Sequence, residues 1–248
     1  MRQNKAKLLI LIATTSISAY AFSDEIKLTK KTSIIFQDRS SESYGFGPGY
    51  AKATFKIRNG KEIDILPMER LTNSGGVLFS GPNDVAISPT GRFAVLLIDR
   101  IGKLTNPNDR DSEPTQSRQY CPVLNTKTGC VVSNLTGEIC GGEWDSNRDL
   151  WRVGKRDSVE SDTNAMLNEP LPSAKGVLNT FQQAKDMKIK TRLSEIVLEN
   201  LGIQNVIACD PPNQDNDAAY HSIASQLLTE RDKESFDYIM KNITKKKR

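Results

Sequence analysis

Histidine is almost missing from this chain: 248 residues contain one, His221, and aromatic residues make up only 6%. A single imidazole excludes a histidine-based zinc site and leaves one candidate base for triad chemistry. No Gly-x-Ser-x-Gly or similar nucleophile motif accompanies it, so His221 is expected to be an ordinary surface or half-buried residue. A surplus of charge is lacking as well, since 34 Lys and Arg face 30 Asp and Glu. Repeats, heptads and multiple long apolar runs are also absent, which excludes collagen, coiled-coil arrays and multi-span membrane proteins. What remains is a chain of ordinary composition, long enough for one large or two small cored domains.

The N-terminus carries Arg2, Lys5 and Lys7, then the apolar run from Leu8 to Ala13, and then Ala19-Tyr20-Ala21. The apolar part is too short to span a bilayer as a helix of roughly 20 residues. With small residues before the expected cut, residues 1–21 are expected to be a secretory signal peptide cleaved after Ala21. No membrane anchor is then expected, and the Lys-rich start and short apolar run are bacterial in style, which points to a periplasm. Removing those residues leaves 31 basic against 30 acidic groups, and setting aside the basic tail at 245–248 leaves 27 against 30. A nucleic-acid partner normally demands a sustained positive face, so none is expected.

Cys121, Cys130, Cys140 and Cys209 are an even set in an exported chain, which favours disulfides over metal thiolates. Four cysteines allow three pairings. The turn-like Thr126 to Gly129 suggests Cys121 with Cys130, leaving Cys140 with Cys209. Neither a metal nor a cofactor is expected.

Residues 22–154 are rich in strand patterns. Ile26, Leu28 and Ile34-Ile35-Phe36 fit a strand pair or one broken strand, and Ala51 to Ile57 alternates with period two ahead of Asn59-Gly60, a hairpin signal. Ser88-Pro89-Thr90-Gly91 separates two further β-prone runs. Residues 105–119 are polar and are expected to be a long exposed loop. The stretch VAISPTGRFAVLLI resembles the strand-turn-strand of β-propeller blades, with CPVLNTKTGCVV and TGEICGGEW similar to outer strands. That likeness implies a ligand-binding or scaffold propeller. A propeller needs at least four blades of roughly 40 residues, however, and the β-rich part ends near Val153 without a repeat. A local meander is therefore expected.

A linker at 155–172 leads to a helical region at 173–244. Leu178, Phe181 and Ala184 mark one helix, and Leu193, Ile196, Val197 and Leu201 another ending at Gly202. Asp217 and Asp232 are expected to cap two more, while Val206-Ile207-Ala208 looks like a small strand. The expected class is α+β: antiparallel hairpins first, helices after.

Candidate sites are sparse. Glu143, Asp145 and Asp149 lie beside Trp144 and Trp151 in GGEWDSNRDLW, and two acids next to a stacking aromatic could serve a secreted sugar hydrolase. The plainer expectation is that the tryptophans anchor the sheet. The same cluster, with Arg148 and Arg152, also has the composition of an interface centre. Gly45 to Gly49 precedes a strand rather than a helix, so it is expected to be a loop and not a phosphate cradle. The acidic runs at 106–113 and 210–217 lack calcium-loop spacing and are expected to be solvated. Taken together, the leader, the cysteine framework and the acidic loops, with no catalytic motif, resemble the profile of periplasmic immunity proteins that neutralise toxins delivered by type VI secretion systems. The resemblance implies a toxin as protein partner and action by steric cover, with Asp109, Asp111, Glu113, Trp144, Arg148 and Trp151 as contact candidates.

Overall fold

The computed structural model describes residues 23–40, 46–103, 115–153, 170–227 and 229–244. The expected leader, the acidic segment holding Asp109, Asp111 and Glu113, most of the expected linker and the basic tail lie outside the described residues.

The N-terminal part folds into strands because each short apolar run is punctuated by a turn-forming pair. β1 (Asp24–Lys27) and β2 (Thr32–Arg39) form a hairpin, and β2 pairs with β3 (Tyr50–Ile57). The Asn59-Gly60 turn returns the chain to β4 (Glu62–Asp64) against β3, as the alternation predicts. The next strands are β5 (Gly75–Phe79), β6 (Ala86–Ile87), β7 (Phe93–Val95) and β8 (Ile98–Lys103). Then come β9 (Thr115–Asn125) and β10 (Val131–Thr136).

All ten join in one antiparallel sheet, with order β1-β2-β3-β5-β8-β9-β7-β6 and β10 on the other edge of β9. β7 and β8 lie end to end along β9, and the sheet branches at their junction: β7 continues to β6, β8 to β5. The blade-like phrase is thus a hairpin within one continuous curled sheet. The curl brings Thr32 of β2 to the turn after β9, where its hydroxyl donates to the Thr126 carbonyl at 2.7 Å. Gly129 in that turn has φ +78°, and a Cβ there would lie 2.5 Å from the Phe55 ring, so only glycine fits. Inside the curl sit Ile34, Phe36, Phe55, Ile98 and Leu124, all fully buried.

Residues 115–119, expected as loop, are strand. Their side chains are exposed, which hides them from a burial pattern, but their backbone pairs residue for residue with β8.

The C-terminal part contributes α1 (Ala174–Asp186), α2 (Leu193–Glu199), α3 (Ile203–Cys209), α4 (Asp217–Gln226) and α5 (Lys233–Thr244). The class is α+β. Val206 to Ala208 belongs to α3 rather than to a strand. Six of its seven residues are buried, so no polar face reveals its period. The caps shift as well. Asn216 precedes α4 and puts Asp217 in its first turn, and Asp232 accepts from the Thr229 amide and hydroxyl in a capping box before α5. After α2 the left-handed residue is Leu201 (φ 63°), and the Gly202 amide closes the Schellman bond to the Val197 carbonyl at 2.9 Å.

α3 joins the two parts. Asn205, only 6% exposed, accepts from the Val131 amide at 2.8 Å and donates to the carbonyls of Val131 (3.3 Å) and Asn200 (3.2 Å). It thereby satisfies β10 where a bulge interrupts its pairing with β9. One helical turn later Cys209 forms a disulfide with Cys130, Cα to Cα 4.7 Å. Cys121 pairs with Cys140 at 5.3 Å. This corrects the expected pairing. The four-residue turn does bring Cys130 back, but opposite Asn125. Cys121 lies four extended residues further along β9, roughly 13 Å at strand rise and beyond disulfide reach.

Candidate functional site

The segment after Cys140, the third cysteine, builds the one feature that sequence reasoning singled out for chemistry. β11 (Glu143–Trp144) and β12 (Trp151–Arg152) pair as a small hairpin, Glu143 opposite Arg152 and Trp144 opposite Trp151. The preceding Gly142 is obligatory, since a Cβ would approach the Trp151 indole nitrogen and the Arg152 carbonyl to 2.4 Å.

Trp151, 4% exposed, donates its indole N–H to the Ile139 carbonyl at 2.7 Å and presents its ring edge to Trp144 at 5.1 Å. Trp144 is half-buried and donates to the Ala86 carbonyl at 3.0 Å. Its ring stacks on Phe93, 6.5 Å between centroids, and the Arg92 guanidinium lies 5.0 Å from the Phe93 ring centroid. The tryptophans thus fasten the hairpin to the β6–β7 edge of the sheet. Trp151 is closed off inside. Trp144 is only half-buried, while Arg148 and Arg92 are exposed.

The acids have internal duties. Asp145 accepts from the Asn147 amide at 2.9 Å and from the Arg152 guanidinium at 2.6 and 3.0 Å, with Arg148 at 3.7 Å. The Asn147 amide, then the Arg152 bonds, hold its carboxyl below the usual carboxylate range. Partial burial pushes Asp149 up, but the Thr90 hydroxyl and amide, the Ser88 hydroxyl and the Arg92 charge together bring it below that range. Asp149 therefore ties the hairpin to the Ser88-Pro89-Thr90-Gly91 turn, a link across 59 residues with no local sequence signal. Glu143 is exposed.

Because both aspartates bind protons less readily when folded than the ordinary value near 3.9, their contribution is present above about pH 4 and fades as pH falls through the folded values. Acid titration of the thermal midpoint is expected to show a drop below about pH 4 that is shallower in Asp149→Asn. An unchanged acid limb would remove this assignment.

His221 is exposed on α4 with its Nε2 3.7 Å from Asp217 of the preceding turn. In the 210–217 run, Asp210 accepts from the Ala174 amide at 3.0 Å and from Asn216 at 2.6 Å, so its acid anchors the start of α1. Among the described residues no group of three or more His, Cys, Asp or Glu side chains is placed to hold a metal ion.

Other concavities lie elsewhere. One of about 560 Å³ opens between the β3–β4 turn and α5, lined by Lys61, Glu62, Tyr238 and Lys241. Burial and the Asp64 charge push the Tyr238 phenol up to about 12 and keep it neutral. Sequence reasoning missed this cleft because its two walls are about 180 residues apart in the chain.

Fold and site define an α+β protein with a curled antiparallel sheet, a helical part and two disulfides, in which no helix among the described residues is long and apolar enough to cross a membrane. No family model, no curated protein and no solved structure matches the chain.

Proposed function

We propose that the protein is exported to a periplasm and acts by binding, neutralising a toxin by covering its active site as periplasmic immunity proteins do. The observation that carries this reading is the use made of the acids around Trp144. A glycosidase needs one carboxyl that keeps a proton and a second that is free to attack or to activate water. Asp145 and Asp149 are instead held ionised by Arg152 and Thr90, which leaves Glu143 without a second free carboxylate in the hairpin. The same bonds make the hairpin rigid, and a rigid hairpin carrying a half-buried Trp144 and an exposed Arg148 has the composition of an interface centre. Two disulfides support export, since such bonds persist in oxidising compartments.

The test is calorimetric titration against the product of the adjacent gene, with Trp144→Ala and Arg148→Glu as variants. Each substitution is expected to weaken binding by about tenfold or more. Unchanged affinity in both variants, with each variant folded, would move the contact face away from this hairpin.

A further inference from the structure

We propose that the concavity beside the β1–β2 and β3–β4 turns binds a phosphate monoester group. Lys27, Ser33 and Lys56 stand in one row across three strands, since Lys27 pairs with Ser33 and Ser33 with Lys56. Directly opposed residues share a face with Cβ atoms about 5 Å apart, so two ammonium stems flank one hydroxyl. Ser33 is only 7% exposed, and its hydroxyl has no hydrogen-bond partner among the described residues. That hydroxyl is not sealed in the core. It lines a concavity of about 260 Å³.

The rim is basic. The Arg58 amide donates to the Lys31 carbonyl at 2.8 Å, which holds the two turns side by side and brings Lys30, Lys31 and Arg58 to the same opening. Among the described residues no carboxylate lies within ion-pair distance of Lys27, Lys30, Lys31 or Arg58. Lys56 leans on Glu62 at 3.6 Å, and Glu25 is the one acid in the lining. Five cations against two acids, counting Glu62 beside Lys56, is a local excess that the near-neutral chain as a whole conceals. A concave surface of one sign concentrates counter-charge. A phosphate monoester carries between one and two negative charges near neutral pH, with three acceptor oxygens. One of its oxygens can accept a hydrogen bond from the Ser33 hydroxyl while Lys27 and Lys56 neutralise the others, a match that a single carboxylate fills less completely.

Two arms separate free from lipid-borne phosphate. In the first, inorganic phosphate is titrated into the disulfide-intact chain and followed by amide NMR shifts. In the second, sedimentation is measured with phosphatidylcholine vesicles with and without phosphatidic acid. Lys27→Gln/Lys56→Gln and Ser33→Ala are run beside the parent, with urea midpoints to verify folding. Saturable shifts centred on Lys27, Ser33 and Lys56, or co-sedimentation only with phosphatidic acid, are expected, weakened about tenfold or more in the lysine double variant. The first result without the second identifies a soluble phosphate ester as ligand class; the second without the first identifies a headgroup. Failure of both arms, or binding indifferent to the folded variants, overturns the proposal.

Discussion

Replacing Cys130 and Cys209 together by alanine is expected to destabilise the protein by roughly 4–5 kcal/mol in urea unfolding, against about 3 kcal/mol for the Cys121/Cys140 pair. The difference follows from loop length, with sequence separations of 79 and 19. The bridges interleave along the chain, yet neither offers the other a shorter covalent route. Each therefore retains nearly its full effect on the unfolded chain. The longer bridge has a second consequence, because it fastens α3 to the turn after β9 and so joins the helices to the sheet. Its removal is expected to separate the unfolding of helices and sheet into two transitions when circular dichroism and tryptophan fluorescence are compared, since both tryptophans lie in the β-rich part. Coincident transitions with an unshifted midpoint would contradict this.

Asn205→Ala is expected to cost about 2–4 kcal/mol. The substitution leaves the Val131 amide and carbonyl unpaired at a buried bulge, and water is poorly placed to replace the side chain there. Because Asn205 and Cys209 meet β10 from adjacent turns of α3, the two losses share a consequence. Combining Asn205→Ala with removal of the Cys130–Cys209 bridge is expected to cost less than the separate effects summed. Additive losses would mean that the amide and the bridge hold independent parts of the interface.

The contrast between what was readable and what was not is physical. Asn59-Gly60 and Ser88-Pro89-Thr90-Gly91 announced their hairpins because turn chemistry is local. α1 and α2 announced themselves through one apolar face against one wet face. α3 did not, since a helix buried on nearly all sides has no contrasting face. The polar start of β9 was hidden for the opposite reason: both faces there meet solvent and only backbone bonds define it. Disulfide pairing depends on register, and a shift of four strand residues separates the expected partner from the actual one. At the Trp144 hairpin the residue types were legible and their roles were not. Asp149 becomes a clamp through Thr90, and Asp145 through Arg152, only once the fold has brought them together.

The reading of function stands on that hairpin as a contact face. Its most direct test is to titrate the activity of the adjacent gene's product with the disulfide-intact chain. Activity is predicted to fall in proportion to added chain and to vanish at stoichiometric amounts, and the folded Trp144→Ala/Arg148→Glu variant is predicted to leave it intact at the same concentrations. Undiminished activity at saturating chain, or hydrolysis of a glycan by the chain itself that disappears in Glu143→Gln, would contradict the account.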